Sequence, residues 1–159
     1  MREARTPENY QPVRSVATLS DAIGLLARWT LQQQHYFMPR DPLPKCRKLA
    51  LSLPEAHEVE AWGEPTFRVK NKIFAMYAHA NNHHGGGRNA MWCKAAPVNQ
   101  RLMVEAAPNR FFVPPYVGPS GWIGVWLDGA VDWSELEDLL RDAWRMTAPK
   151  KLVAALKEN

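Results

Sequence analysis

Apolar residues recur at helical spacing in four stretches and at strand spacing between them. Leu43, Cys46, Leu49, Ala50 and Leu53 fall at i, i+3, i+6, i+7 and i+10, the stripe of a short amphipathic helix that Pro54 closes. Leu136, Leu139, Leu140, Ala143 and Trp144 form a longer stripe behind Asp132 and Glu135, an Asp version of the capping box. Pro149 breaks that helix, and Lys150 to Lys157 continue as a further turn or two. Val98 to Ala107 makes a third helix, with Leu102, Met103 and Ala106 as its buried stripe, Pro97 near its first turn and Pro108 past its end. Upstream, residues 18–37 place Leu19, Ala22, Ile23, Leu26 and Trp29 on one side of a helix, with Thr18 or Ser20 as N-cap. Pro39 and Pro42 then mark a linker, and residues 1–17 read as a polar tail.

The strands lie between the helices. Residues 57–62 predict one. Residues 66–77 alternate at period two and predict a hairpin turning at Asn71-Lys72, since Asn tolerates a positive φ. That register pairs 70 with 73, 68 with 75 and 66 with 77. It sets Phe67, Val69, Phe74 and Met76 on the core face, and Thr66, Arg68, Lys70, Ile73, Ala75 and Tyr77 on the other. Residues 81–89 hold three successive Gly and no apolar residue, and predict a flexible loop. Strands follow at 90–95 and, apolar on both faces, at 122–127. Residues 111–121 form an aromatic, Pro- and Gly-rich connection.

From Leu43 the order is α, three or four β, α, two β, α. This grouping predicts an α+β two-layer domain with an antiparallel sheet packed with helices. The expected division is an N-terminal tail, helix and linker at 1–42 and a single domain at 43–157. Met38-Pro39-Arg40 precedes the domain and leaves two readings of the first 37 residues open: an early start codon or a docking helix.

The 159 residues suit one core rather than two. Net charge is 20 − 16 = +4, and it is spread evenly along the chain, which permits a polyanionic partner without marking a basic arm. Two distant cysteines, Cys46 and Cys93, offer no C-x-x-C spacing and suit a reducing cytoplasm. No stretch predicts a signal peptide or a membrane span.

Several separated blocks resemble one known family. Trp62-Gly63-x-Pro65-x-Phe67-Arg68-Val69, Lys72-Ile73-Phe74-Ala75, Phe112-x-x-Pro115-Tyr116, Gly121-Trp122-Ile123-Gly124-Val125 and Trp144-x-x-Thr147-Ala148-Pro149-Lys150 are similar, in order, to the MmcQ/YjbR family over about residues 43–155. The resemblance implies a two-layer α+β fold like that of secretion chaperones. It also implies DNA binding through a "double wing" of hairpins. The chain departs from the family pattern in its first forty residues, in its Gly-rich loop at His83-His84-Gly85-Gly86-Gly87, and at Trp126, where a polar residue is usual.

Two functional readings follow. In the first, the chain is a non-enzymatic, weakly sequence-specific DNA-binding protein. Arg68, Lys70 and Lys72 form the basic tip of the hairpin, Arg88 and Lys94 extend it, and Arg101 and Arg110 lie near the middle helix. The same charges would also serve to blunt a sheet edge. In the second, it is a protein-interaction or small-ligand module, as monomer or homodimer, using an aromatic groove built from Tyr77, Tyr116, Trp122 and Trp126, with Trp92 beside them. These aromatics serve equally as core. His79, His83 and His84 are the densest metal-type cluster, but adjacent His in a Gly-rich loop are poorly preorganised, so no metal or other cofactor is expected. Glu58, Glu60 and Glu64 read as exposed strand charges rather than an acid–base set, and Cys93 as a small buried hydrophobe. Dinucleotide, P-loop, HExxH and G-x-S-x-G motifs are all missing from the sequence.

Overall fold

The computed structural model describes residues 41–156 and, apart from them, Ile23 alone. The helix expected at 18–37 therefore lies outside the described residues except at that one helical, exposed position. The chain divides into two units, Met1–Met38 and Pro39–Asn159, and everything below concerns the second.

Six antiparallel strands form one sheet. They are β1 (His57–Ala61), β2 (Glu64–Val69), β3 (Lys72–Ala78), β4 (Ala90–Cys93), β5 (Phe111–Phe112) and β6 (Ile123–Trp126), in the order β1-β2-β3-β4-β6-β5. Helices α1 (Leu43–Leu51), α2 (Pro97–Ala106), α3 (Trp133–Thr147) and α4 (Lys150–Leu156) complete the α+β fold. One face of the sheet, the inner face, packs against helices. Leu43, Cys46 and Ala50 of α1 and Leu136, Leu140, Ala143 and Trp144 of α3 meet Phe67, Tyr77, Met91 and Ile123 in a single core. The helical stripes of α1 and α3 are those the spacing predicts, because a 3.6-residue period leaves little choice of buried face. The Trp144 Nε1–H donates to the Pro54 carbonyl at 3.0 Å, tying α3 to the end of the first helical segment. Asp132 caps α3 by accepting from Ser134 N and Glu135 N, both at 3.1 Å. The Glu135 carboxylate does not complete a capping box but pairs with Arg110. In α2 the buried stripe is shifted. Met103 and Val104 pack toward the core, while Leu102 is 56% exposed.

The β2–β3 hairpin departs from the expected register. Its two-residue turn is Lys70-Asn71, with φ of 46° and 64°, and Val69 pairs with Lys72. Two positive φ values are what a type I′ turn demands, and its twist matches that of the flanking strands. A bulge follows, since Arg68 opposes Ile73 whereas Phe67 opposes Ala75, leaving Phe74 as the extra residue. The bulge reverses the alternation beyond it. Phe74 still reaches the inner core, but Ala75 and Tyr77 now point inward as well, and Met76 points to the outer face. Tyr77 is thus fully buried under the helices, with its hydroxyl 3.4 Å from Asp41 Oδ1. Burial and the nearby Asp41 carboxylate push its phenol well above the ordinary range.

Sheet faces can be assigned strand by strand from this pairing. Thr66, Met76, Trp92, Gly124 and Phe112 form one row across the outer face, because Thr66 opposes Met76, Met76 opposes Trp92, Trp92 opposes Gly124 and Gly124 opposes Phe112. The Phe112 ring lies directly over Gly124, where a Cβ would come within 2.2 Å of it. The next row toward the hairpin tip holds Arg68 and Lys94. Lys94 continues β4 by donating its N–H to the Phe74 carbonyl at 3.0 Å.

The double substitution Lys70→Asn/Asn71→Gly tests this register. It supplies the residues a type I′ turn prefers, and relieving a non-Gly residue at positive φ is worth roughly 1 kcal/mol. Loss of the exposed Lys70–Glu55 pair offsets little of that. Urea denaturation is expected to show a higher midpoint at unchanged slope; a lower midpoint would place the turn elsewhere.

Candidate functional site

Among the described residues no helix lies over the outer face of the sheet, yet Met76, Ala78, Ala90 and Trp92 are buried there. Two connections supply the cover. Residues 79–89, between β3 and β4, fold as successive turns rather than as an open loop. Asn82 N donates to His79 O, Gly85 N to Asn82 O and Arg88 N to Gly85 O, each at 3.0 Å, and Gly87 N to Ala80 O at 3.1 Å. Gly85 is required at its position, since a Cβ would lie 2.0 Å from the His79 carbonyl oxygen. The Asn89 side chain accepts from Ala80 N at 2.8 Å and closes the base. The loop expected at 81–89 is thus a run of turns, and its Gly residues permit the close approaches those turns need.

Glu64 anchors this connection. It is fully buried, not an exposed strand charge as its neighbours suggested. A buried carboxylate needs donors. The His79 backbone N–H donates to Oε1 at 2.9 Å, and the His79 ring Nδ1 faces Oε2 at 2.5 Å. The second connection, residues 113–122, turns back over the sheet through Gly118 N to Pro114 O at 3.0 Å and a 3-10 turn at Gly118–Ser120. Gln100 of α2 holds it, donating from Nε2 to the carbonyls of Gly118 and Trp122 at 2.8 and 2.6 Å.

A pocket of ≈ 330 Å³ remains where the two covers fail to meet. Met76 and Trp92, the directly opposed pair of β3 and β4, line it. His83 and His84 come from one connection, Tyr116 and Val117 from the other, and Trp62 from the β1–β2 turn. Trp62 sits in the two-residue β1–β2 turn with Gly63, at φ of 55° and 73°, Tyr116 has a φ of 66°, and both residues are largely exposed, at 67% and 79%. The His84 ring stands edge-on to Trp92, 5.7 Å between centroids at 89°, and to Tyr116, 6.1 Å at 81°. Two polar atoms in this apolar surround have no partner among the described residues: Trp92 Nε1 and His84 Nδ1. Both atoms are shielded from solvent, so the pocket's open surface is formed by apolar and aromatic groups.

The residues expected to form an aromatic groove are dispersed. Tyr116 lines the pocket. Tyr77 faces the helices, as described above. Trp122 packs at the edge of the outer-face cluster. Trp126 is sandwiched: the Phe112 ring stacks on it at 3.9 Å and 17°, and the Arg88 guanidinium covers it at 4.1 Å. Trp62, Met76, His83, His84 and Val117 join the site without having been expected there. Their one signal in the sequence is a central strand apolar on both faces, which implies a second cover.

The basic residues divide as well. Lys70 is paired with Glu55, and Arg88 makes two 2.6 Å bonds to Asp128, holding that carboxyl below the usual carboxylate range. Arg68 donates to Thr66 Oγ1 at 3.0 Å. Arg68, Lys72 and Lys94 have no ion-pair partner among the described residues. Arg110 pairs with Glu135, and Glu58 with Arg47. Cys46 and Cys93 are both buried free thiols on the inner face. Burial pushes Cys46 up to about 12 and Cys93 higher still, which removes them from thiolate chemistry. Among the described residues no three His, Cys, Asp or Glu side chains gather to hold a metal, and no helix is long and apolar enough to cross a membrane.

His84 makes the pocket pH-sensitive. Burial, and then the adjacent His83, push its pKa below the ordinary value of 6.5, while Glu64 pulls weakly the other way. The unfolded chain therefore takes up the proton first as pH falls. Stability from this group is complete above about pH 6.5 and declines as pH drops through the depressed folded-state value. Between about pH 7.5 and pH 5 the urea midpoint of wild type is expected to fall further than that of His84→Gln. Parallel falls in the two proteins would contradict the assignment.

Comparison with known proteins agrees with this architecture. A solved structure of Deinococcus radiodurans protein DR2400, with a DUF419 domain, superposes with a TM-score of 0.56 at 20% identity, covering 69% of this chain and 80% of that one. No curated protein matches the chain. The model of the YjbR family matches residues 51–146, which span β1 through α3 together with the end of α1. With more than half its length matched to that model, the chain belongs to the YjbR family.

Proposed function

We propose that the chain is a ligand-binding module whose site is the outer-face pocket. The observation that carries this reading is a cavity of ≈ 330 Å³ floored by Met76 and Trp92 and flanked by the exposed rings of Trp62 and Tyr116. Mostly apolar walls with a few placed polar groups are the usual make-up of a small-molecule site. The walls carry aromatic, thioether, aliphatic and imidazole groups, a set suited to holding a flat ring rather than to nucleophilic chemistry. A small neutral aromatic such as indole is the simplest probe. A site-specific ligand at ten times its Kd raises unfolding free energy by about 1.4 kcal/mol. Wild type is expected to show saturable one-to-one stabilisation in a thermal melt, and folded Met76→Trp, whose larger ring occupies the pocket, to show none. Absence of any shift in wild type would remove the pocket from consideration.

A second reading, DNA binding through the hairpin tip, is favoured by one observation. Arg68, Lys72 and Lys94 cluster at the same end of the sheet and keep their charges uncompensated, whereas Lys70 and Arg88 do not. Binding would then be electrostatic and weakly specific. Each phosphate contact adds roughly 0.9 to the slope of log affinity against log salt, so three contacts give about 2.7. Fluorescence anisotropy of a labelled duplex between about 50 and 200 mM salt measures this. Arg68→Ala/Lys72→Ala/Lys94→Ala is expected to abolish binding, and Lys70→Ala/Arg88→Ala to spare it. The opposite ranking would exclude this surface.

A further inference from the structure

Resting on the pocket reading above, we infer that the group seated in the pocket is a fully methylated ammonium, held against the rings of Trp62, Trp92 and Tyr116. The first observation is what the pocket withholds. Its open surface is apolar and aromatic, and the two nitrogens without partners, Trp92 Nε1 and His84 Nδ1, are shielded from it. A group that enters must therefore have no hydrogen bonds to lose, because an amide, a hydroxyl or a primary ammonium is penalised when buried without a partner. That excludes sugar, nucleobase, carboxylate and lysine-like heads, and leaves hydrocarbon groups and quaternary ammonium. The second observation decides between those two. Five of the seven side chains around the pocket are rings, and Val117 is the one aliphatic hydrocarbon among them. A hydrocarbon guest gains as much from aliphatic walls, whereas a cation gains from the negative face of each ring, most of all from Trp.

The third observation is how the chain treats its other tryptophans near the surface. Lys45 Nζ lies 4.2 Å over the Trp133 ring, and the Arg88 guanidinium 4.1 Å over Trp126, whose other face is stacked on Phe112. Among the described residues no lysine or arginine lies over Trp62, Trp92 or Tyr116. His84 meets Trp92 and Tyr116 at 89° and 81°, contacts that cover less of a ring than stacking does, and Trp62 and Tyr116 are mostly exposed. Rings of the kind that elsewhere carry the chain's own cations are left without one at the pocket. The fourth is charge. Neither lysine nor arginine lines the pocket. Burial holds the His84 pKa below its ordinary value, so its ring is uncharged at neutral pH, and the Glu64 carboxylate acts on that wall with the sign that favours a cation.

Isothermal titration calorimetry of the full chain at constant ionic strength tests the inference, using choline, 3,3-dimethylbutan-1-ol and, in parallel, indole. The alcohol has the shape of choline with carbon in place of the charged nitrogen. Choline is expected to bind one-to-one and at least about tenfold tighter than the alcohol, the effect of one or two desolvated cation–π contacts. Folded Met76→Trp, which fills the pocket, is expected to lose both. Trp62→Leu and Tyr116→Leu, at exposed positions, keep an apolar wall and remove a ring face. Each is expected to weaken choline about fivefold and to leave the alcohol within about twofold. A short peptide bearing trimethyl-lysine is compared with its unmodified lysine counterpart, which is expected not to bind because a primary ammonium would forfeit its hydrogen bonds. Tighter binding of the trimethylated peptide than of choline means a methylated side chain presented by a protein, and weaker binding means a free small molecule. If indole binds and choline does no better than the alcohol, the ligand class is wrong and the pocket reading stands. If none of the three binds at millimolar concentration, both fall. Equal losses of choline and alcohol in the two leucine variants, or equal binding of the two peptides, would also overturn the inference.

Discussion

The central strands β3 and β4 are apolar on both sides, so the sheet needs two covers. Phe74, Tyr77, Met91 and Cys93 face the helices, while Met76, Ala78, Ala90 and Trp92 face away from them. Leaving either set in water would forfeit roughly 25 cal/mol for each Å² of apolar surface. Helices α1 and α3 close the inner face continuously. The outer face is closed by irregular chain, which must satisfy its own backbone groups before it can lie on an apolar floor. Residues 79–89 do so by successive turns on Gly85 and Asn89, and residues 113–122 by their own turn and by the amide of Gln100. Irregular segments cannot tile a flat surface as helices do. The pocket is the seam between them, and the site follows from how the second face is covered.

The inner half of this arrangement was legible in the sequence. Stripes at Leu43–Leu53 and Leu136–Trp144 have one possible buried face each, and Asp132 marks where α3 begins. The hairpin was legible as a hairpin but not in register. Lys70-Asn71 forms a type I′ turn without Gly, and the bulge at Phe74 is invisible to a period of two. That single extra residue sends Met76 outward and Tyr77 inward, which is why Tyr77 looked like a surface aromatic and Met76 like core. The outer half was hardly legible at all. His83-His84-Gly85-Gly86-Gly87 has no apolar periodicity, and its turns depend on partners brought in from β2 and β4.

Counting residue types also overstates what the surface offers. Of the five basic residues that suggest a nucleic-acid wing, Lys70 and Arg88 are spent on Glu55 and Asp128. Arg88 does double service, since the same guanidinium lies on Trp126 and helps to hide it. Aromatics follow the same rule. Trp126 and Phe112 stack on each other over Gly124, and Trp144 is satisfied by the Pro54 carbonyl, whereas Tyr116 and Trp62 are left with open faces. What matters for binding is the residue whose interaction capacity remains unused after folding. By that criterion the open aromatic faces gather at one place, beside the outer-face pocket.

The most direct test of this account is the set of indole N–H resonances of the 15N-labelled protein, followed while unlabelled indole is added. The signals of Trp92 and Trp62, whose rings line the outer-face pocket, are expected to shift as the added ring enters beside them. Trp144, already bonded to Pro54 beneath α3, is expected to stay still. A spectrum in which the Trp92 resonance does not respond, or in which all seven indoles shift alike, would contradict the claim that the outer-face pocket is where this protein binds its ligand.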